Sequence, residues 1–315
     1  MAIAAPTLPY FCDPELLPGP LPTQEEILSS THVVPTNGPE DWARAVIVRD
    51  TFFVKYGQKW AVHENEGHAL LLLHRHFPPP NALPVPRLYA MYRDEKSDRL
   101  FIVMERMPGD SLQSVWESMK EIDKLDITAQ LRELFTRIRQ GIPSPGVFGS
   151  VTGGPLGHRF FWAPRPDPVV NGPFREERDF NRAMAISSRR RWGDDGQRPW
   201  ASEFLERHLP DALVGHEIVF THGDIQRKNI LVAKRDGQPP EGSEDKGGEN
   251  LKGRWEVTAI VDWEEAGFYP SYWEYAAMFM YLQWVDDWPE KYERIIDPCP
   301  LEAGMMLFVR QILDY

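Results

Sequence analysis

The sequence predicts an α+β fold in two lobes, a small antiparallel sheet lobe followed by a larger, mainly helical one. Three observations predict it: short β-rich runs cluster before residue 107, helical apolar periods dominate after it, and Pro108-Gly109 marks the change of texture. At 315 residues the chain is long enough for one large domain or two smaller ones.

The first 40 residues hold eight prolines, which reads as an irregular arm packed on the surface. A nucleotide-binding lobe is expected over 41–107 and a catalytic and substrate lobe over 108–315. Residues 43–48 and 51–54 are β-rich runs flanking Arg49-Asp50, the pattern of a tight hairpin, with Lys55 closing the second strand. Over 60–77, Val62, Glu66, Leu70, Leu73 and Phe77 recur at spacings of four, four, three and four, one face of a helix. Glu66 thus sits in an apolar stripe, where a carboxylate is costly unless a cation meets it, so a strand lysine is its expected partner.

Pro78-Pro79-Pro80 ends that helix, and 88–92 and 100–105 read as strands across a polar turn at 94–98. Beyond the boundary, Ile127, Leu131, Leu134, Phe135 and Ile138 mark a helical face, and 200–209 and 273–284 also read as helices. Residues 141–174 are rich in Gly, Pro and aromatics and too long for a mere connection, so a structured loop is expected. Five glycines, two prolines and eight charged residues over 235–253 read as a flexible hairpin insertion between strands at 230–233 and 255–261.

Composition is that of ordinary globular material, with 42% hydrophobic and 26% charged residues. The longest aliphatic stretch, 69–73, is far below the roughly 20 residues that span a bilayer, and no secretory signal pattern opens the chain, so a cytoplasmic protein without membrane partners is expected. Thirty-five Lys and Arg against 47 Asp and Glu give −12, which argues against a nucleic-acid binder. Residues 255–315 carry 12 Asp and Glu against three Lys and Arg; a cleft there would attract cations, unless the acid is a solvated surface. Cys12 and Cys299 have no Cys or His at metal-ligand spacing, which fits a reducing compartment.

The chemistry concentrates in His222-Gly223-Asp224 with Asn229, followed by Asp262-Trp263-Glu264. Phosphoryl transfer needs a carboxylate to orient the acceptor hydroxyl, and an amide and a second carboxylate to hold magnesium beside the triphosphate. The five-residue interval from Asp224 to Asn229 equals that of the kinase catalytic loop.

With Gly267, these residues closely resemble the aminoglycoside phosphotransferase family of kinase-like enzymes, and the resemblance extends over roughly residues 40–285. Phe53-Val54-Lys55-Tyr56-Gly57, Pro84-Val85-Pro86, Met104-Glu105 with Pro108-Gly109, and Gly172-Pro173-Phe174 are similar to its fungal branch. The resemblance implies a two-lobed protein-kinase-like fold with ATP between the lobes, and a phosphotransferase that moves the γ-phosphoryl group of ATP, with Mg2+, to a hydroxyl of a small molecule. It implies Asp224 as the catalytic base or hydroxyl-orienting group and His222 as the residue that hydrogen-bonds backbone and positions it. Asn229 and Asp262 would ligate magnesium. Lys55 would contact the α- and β-phosphates and be held by Glu66, and Glu105, Arg106 and Met107 match the hinge whose backbone groups bind adenine.

Two departures stand out. The Gly-x-Gly-x-x-Gly loop of protein kinases is absent, since only Gly38 occurs between Thr31 and Lys55, which keeps a non-catalytic nucleotide- or metabolite-binding module as the alternative. Trp263 and Glu264 stand where protein kinases have Phe and Gly, which favours small-molecule over protein substrates. Glu264, Glu265 and Glu274 either favour cationic acceptors or are structural.

Three rival motifs weigh less. Pro108-Gly109-Asp110-Ser111-Leu112 contains a serine-hydrolase string, but no histidine follows His222, and Asp110 reads as a helix cap. His63, His68, His74 and His76 read as helix-surface histidines, and Arg189-Arg190-Arg191 as a solvated basic run.

Overall fold

The computed structural model describes residues 6–36, 39, 41–192, 199–235, 253–282 and 284–313. The body of the 235–253 insertion and Gly38 lie outside the described residues.

The first lobe runs β1 (Tyr10–Phe11), α1 (Gln24–Ser29), β2 (Val33–Val34), β3 (Ala43–Val48), β4 (Phe52–Gly57), α2 (Asn65–His76), β5 (Leu88–Arg93) and β6 (Leu100–Glu105). The six strands form one antiparallel sheet in the order β1-β5-β6-β4-β3-β2. Alternation along β6 divides its two faces: Leu100, Ile102 and Met104 pack toward α2, whereas Phe101 and Val103 join a separate apolar cluster with Ile27 and Cys12 of the arm. Arg49 and Asp50 both have positive φ, 53° and 54°, in the tight turn between β3 and β4, where Val48 pairs with Phe52 and the Thr51 N–H closes onto the Val48 carbonyl at 3.2 Å. Neither is glycine, and the turn is braced from outside, because the Arg49 guanidinium donates to Glu26 of α1 at 2.6 Å and to the Pro20 carbonyl at 2.8 Å.

The arm therefore departs from the irregular segment that its prolines suggest. It supplies both edge strands and a helix that opens with a capping box, Thr23 and Glu26 bonding each other's backbone N–H. Two further boundaries differ. Lys55 lies inside β4, opposite Ile102, rather than at its end, and the helix expected from residue 60 begins at Asn65.

The second lobe runs β7 (Asp110–Ser111), α3 (Leu112–Val115), α4 (Glu121–Gly141), β8 (Gly149–Ser150), α5 (Pro168–Asn171), α6 (Glu177–Trp192), α7 (Pro199–Ala212), β9 (Ile218–Thr221), β10 (Ile230–Lys234), β11 (Trp255–Ile260), β12 (Gly267–Pro270), α8 (Trp273–Met280), α9 (Trp288–Tyr292) and α10 (Pro300–Leu313). Ser111, not Asp110, caps the helix of the hydrolase-like string, accepting the Ser114 N–H at 3.3 Å. The five apolar positions read from 127 to 138 are all buried on α4. The loop over 141–174 is structured around Phe148, Phe160, Phe161 and Phe174, which pack with Phe180 and Trp273. The helix expected over 273–284 stops at Met280.

Two three-stranded sheets, β11-β10-β7 and β8-β12-β9, carry the polar cluster of the sequence between them: β9 leads into His222, β10 leaves Asn229, β11 enters Asp262, and β12 follows it. No helix among the described residues is long and apolar enough to cross a membrane.

Candidate active site

Lys55 is the centre of charge. Its Nζ lies 2.9 Å from Glu66 Oε2, in contact with Asp262 Oδ1, and 3.8 Å from Glu264 Oε2. Burial alone would lower the ammonium's pKa, but Asp262, Glu66 and Glu264 outweigh it and hold Lys55 firmly protonated. Burial opposes ionisation of Asp262 as well, and there the attraction of Lys55 wins and the pKa falls. For Glu66, 2% exposed, burial wins over Lys55 and the pKa rises. Burial, with Asp262, Glu66 and Asp224 adding to it against Lys55, pushes Glu264 up to about 7. One ligand oxygen from each of Glu66, Asp262 and Glu264 falls within a mutual 4.8 Å, so three carboxyl groups share one lysine.

These groups reach one point because β4, α2 and the turn after β11 converge. Gly67 allows α2 to approach the sheet, since a Cβ there would lie 2.7 Å from the Met91 sulfur. Asn65, at the start of α2, donates to the carbonyls of Glu264 and Ala266 at 2.8 and 2.7 Å and ties the helix to the turn. Asp262 itself has left-handed backbone, φ 68° and ψ 56°, which a non-glycine residue keeps only where its surroundings over-determine it.

Asp224 sits in the neighbouring loop with both carboxylate oxygens engaged: Gln226 Nε2 donates to Oδ1 at 2.5 Å and Asn229 Nδ2 to Oδ2 at 3.0 Å. Asn229 Nδ2 also reaches the Asp224 carbonyl at 2.9 Å, so its nitrogen is occupied and its oxygen is the atom left for a cation. Lys228 Nζ stands 3.9 Å from Asp224 Oδ2. His222 is 1% exposed and uses both ring nitrogens internally, Nδ1 accepting the Asp224 N–H at 3.2 Å and Nε2 donating to the Val261 carbonyl at 3.0 Å. That pattern fixes a neutral tautomer and makes His222 a link between the Asp224 and Asp262 loops. Gly223 has φ 86°, and a Cβ there would fall 2.8 Å from the Glu265 carbonyl, so only glycine permits this approach.

The residues expected to form the hinge, Glu105, Arg106 and Met107, lie apart from this cluster, at the end of β6. The N–H groups of Glu105 and Arg106 are committed to the carbonyls of Arg87 and Thr51, at 2.9 and 3.1 Å. The Glu105 carboxylate, rather than its carbonyl, accepts the Arg87 N–H at 3.2 Å. Met107 N–H has no partner among the described residues.

Sequence reasoning left Glu274 open between a contact for cationic acceptors and a structural role. Glu274, 1% exposed on α8, accepts the N–H of His222 at 2.7 Å and of Gly223 at 3.1 Å, which makes it structural rather than a contact for cations. A lone carboxylate inside the apolar helix Trp-Glu-Tyr-Ala-Ala-Met-Phe-Met was the available signal. His68 also departs from the surface reading: it is 6% exposed, with Nε2 buried and without a hydrogen-bond partner among the described residues. It lines a cavity of about 330 Å³ together with His63, Ser150, Thr152, Glu264 and Glu265. Burial, with Glu264, Asp224 and Asp262 adding to it, pushes Glu265 up to about 8. The basic run is paired within the chain, Arg189 with Glu206 at 2.6 Å, Arg190 with Asp167 at 2.5 Å and Arg191 with the Leu313 carbonyl.

Comparison with known proteins agrees with this fold. Among solved structures the fold is similar to a thermostable mutant of aminoglycoside phosphotransferase APH(4)-Ia, in ternary complex with ADP and hygromycin B, at 17% identity over 92% of this chain and 88% of that one, with a TM-score of 0.54. It is also similar to the GDP complex of aminoglycoside 2'-phosphotransferase-IIIa, at 10% identity over 88% and 80% of the two chains, TM-score 0.52. At such identities the likeness is one of fold, and it establishes the two-lobed kinase-like architecture. A search of the curated proteins gave no match. The model of the phosphotransferase enzyme family matches residues 46–241, more than half of the chain, including Lys55, Glu66 and the whole loop from His222 to Asn229, while Asp262 joins them through the fold. The chain belongs to the phosphotransferase enzyme family.

Proposed function

We propose that this phosphotransferase moves the γ-phosphoryl group of ATP, with magnesium, to a hydroxyl of a small molecule. The observation that carries the reading is the meeting of Lys55, Glu66 and Asp262, from three separate elements, with the Asp224 loop linked to them through His222.

Asp224 would accept a hydrogen bond from the acceptor hydroxyl and align its oxygen for in-line attack, with Gln226 and Asn229 fixing the carboxylate's orientation. Lys55 would exchange part of its contact with Asp262 for phosphate oxygens while Glu66 keeps it in place. Adenine would bond to the Met107 N–H, unpaired among the described residues, and the Glu105 carbonyl, the hinge acting through main chain, with Arg106 holding that strand end to Thr51. The donor set fits magnesium. The Asn229 amide oxygen and the Asp262 carboxylate are hard ligands, and three carboxyl groups around a single lysine leave negative charge for a divalent ion to offset. Held by Asn229 and Asp262, a magnesium ion would supply positive charge against the negative charge that develops during transfer.

The cavity beside Glu264 and Glu265 is the space we assign to the acceptor, because polar side chains, among them His63, Ser150, Thr152, Glu264 and Glu265, line it. Thermal unfolding with and without ATP and magnesium, followed by ADP release in the presence of a panel of small alcohols, tests the proposal. A magnesium-dependent rise in Tm with acceptor-dependent ADP release is expected. A rise without turnover for any acceptor would favour the non-catalytic binding module.

A further inference from the structure

The segment between Asp224 and Asn229 is anchored to a part of the molecule remote in sequence. Arg227 donates through Nη2 to Asp286 Oδ2 at 2.6 Å, and its guanidinium carbon lies 5.4 Å from the ring centres of both Trp116 and Trp288. The two indoles meet edge to face, 5.1 Å apart and 88° to one another, and both are buried. Each is itself fixed. Trp116 Nε1 donates to Asp287 Oδ1 at 2.8 Å, Lys124 bonds Asp287 at 2.9 Å, and the Trp288 N–H bonds Asp286 Oδ1 at 3.0 Å. An arginine packed against two mutually perpendicular indoles and tied to a carboxylate has its planar cation defined in position and tilt, which a point charge on a flexible stem would not achieve.

Arg227 opens the short helical turn that ends at Asn229, and directly follows Gln226. These two flanking amides are the groups that hold the two oxygens of Asp224. We infer that Arg227 is a positioning residue for phosphoryl transfer: packed against Trp116 and Trp288 and tied to Asp286, it sets the pitch of the loop in which Gln226 and Asn229 orient the Asp224 carboxylate. The inference rests on the phosphotransferase reading of Asp224. It makes the segment from Asp286 to Trp288 and the turn carrying Trp116 contributors to rate without contact with either substrate.

The test compares wild type, Arg227→Met, Arg227→Lys and Asp286→Asn in two measurements. The first is ADP release from ATP and magnesium with water, glycerol or glucosamine as acceptor. The second is amide hydrogen exchange over 224–229, where Gln226 N–H bonds the Asp224 carbonyl and Asn229 N–H the Gln226 carbonyl, both at 2.9 Å. For Arg227→Met and Asp286→Asn the expectation is faster exchange confined to this loop and a kcat lower by about 10- to 100-fold, the scale of a small misplacement of a reacting group. KM for ATP should stay within about twofold and Tm close to wild type, with Arg227→Lys recovering part of the rate. Unchanged exchange or unchanged kcat in an active background overturns the inference, as does a loss of kcat that merely tracks a fall in Tm and a rise in KM. A wild type that releases no ADP with any acceptor overturns the phosphotransferase reading and this inference with it.

Discussion

Glu274 accepts the backbone N–H of His222 at 2.7 Å on a fully buried carboxylate, and the adjacent Gly223 N–H on its other oxygen. Two main-chain donors of the Asp224 loop thus depend on one side chain more than 50 residues away in sequence. Glu274→Gln keeps one acceptor but turns an amide nitrogen toward the other N–H. An unpaired buried donor costs about 1–3 kcal/mol, so the denaturant midpoint should fall by that amount and turnover with it. A variant as stable and active as wild type would mean that the loop is held by other contacts.

Asp224→Ala should separate binding from chemistry. Nucleotide-induced stabilisation should persist, because Lys55, Glu66 and the hinge are untouched, while acceptor-dependent ADP formation falls by about 10²- to 10⁴-fold, the range of general acid–base contributions. Full activity would remove Asp224 from its proposed role.

Asp262→Asn retains a residue type that tolerates the left-handed backbone seen at this position but removes a charge that faces Lys55. ATP at 100 times Kd stabilises a protein by about 2.7 kcal/mol. That gain should lose its magnesium dependence in the variant, as read from thermal shifts with magnesium or with a chelator. Identical shifts in both proteins would sink the assignment of Asp262 as a ligand.

Lys55→Met strips the shared cation from Glu66 and Asp262. Removing one partner of a buried ion pair typically costs about 3–5 kcal/mol, and the loss should be smaller in mildly acidic buffer, where the orphaned carboxylates can protonate. A chemical denaturation series at pH 5 and pH 7.5 reads both effects.

Glu265 gives a pH dependence of definite sign. Its folded pKa, pushed up to about 8, lies above the ordinary glutamate value, so the folded state holds a proton that the unfolded state releases. The stability linked to this group is fully present below its unfolded pKa and is lost as pH rises through about 8, with a slope of up to about 1.4 kcal/mol per pH unit. Glu265→Gln should flatten the stability profile between those limits. A profile identical to wild type would place the proton elsewhere.

The local part of the site was legible in the sequence, and the long-range part was not. The interval from Asp224 to Asn229 and the helical spacing around Glu66 are short-range patterns, and the Lys55 to Glu66 contact follows from one strand, one helix and the cost of a buried carboxylate. Glu274, Asp286, Trp116 and Trp288 act on the same loop from 50 or more residues away, and no period links them to it. The fold shows the same division. Strands at 43–48 and 100–105 carry their own β signal, whereas the two-residue strands of the arm owe their conformation to the sheet edges they meet. Prolines around them conceal that pairing because it is tertiary.

Those two strands have a consequence for how the protein behaves outside its native state. Tyr10–Phe11 and Val33–Val34 occupy opposite borders of the six-stranded sheet, so a single segment of chain closes both open ladders at once. Loss of that segment by proteolysis would uncover two rows of unpaired backbone groups together with the apolar face that Ile27 covers, a template for strand exchange between molecules. The arm thus covers both borders of the sheet with one stretch of chain.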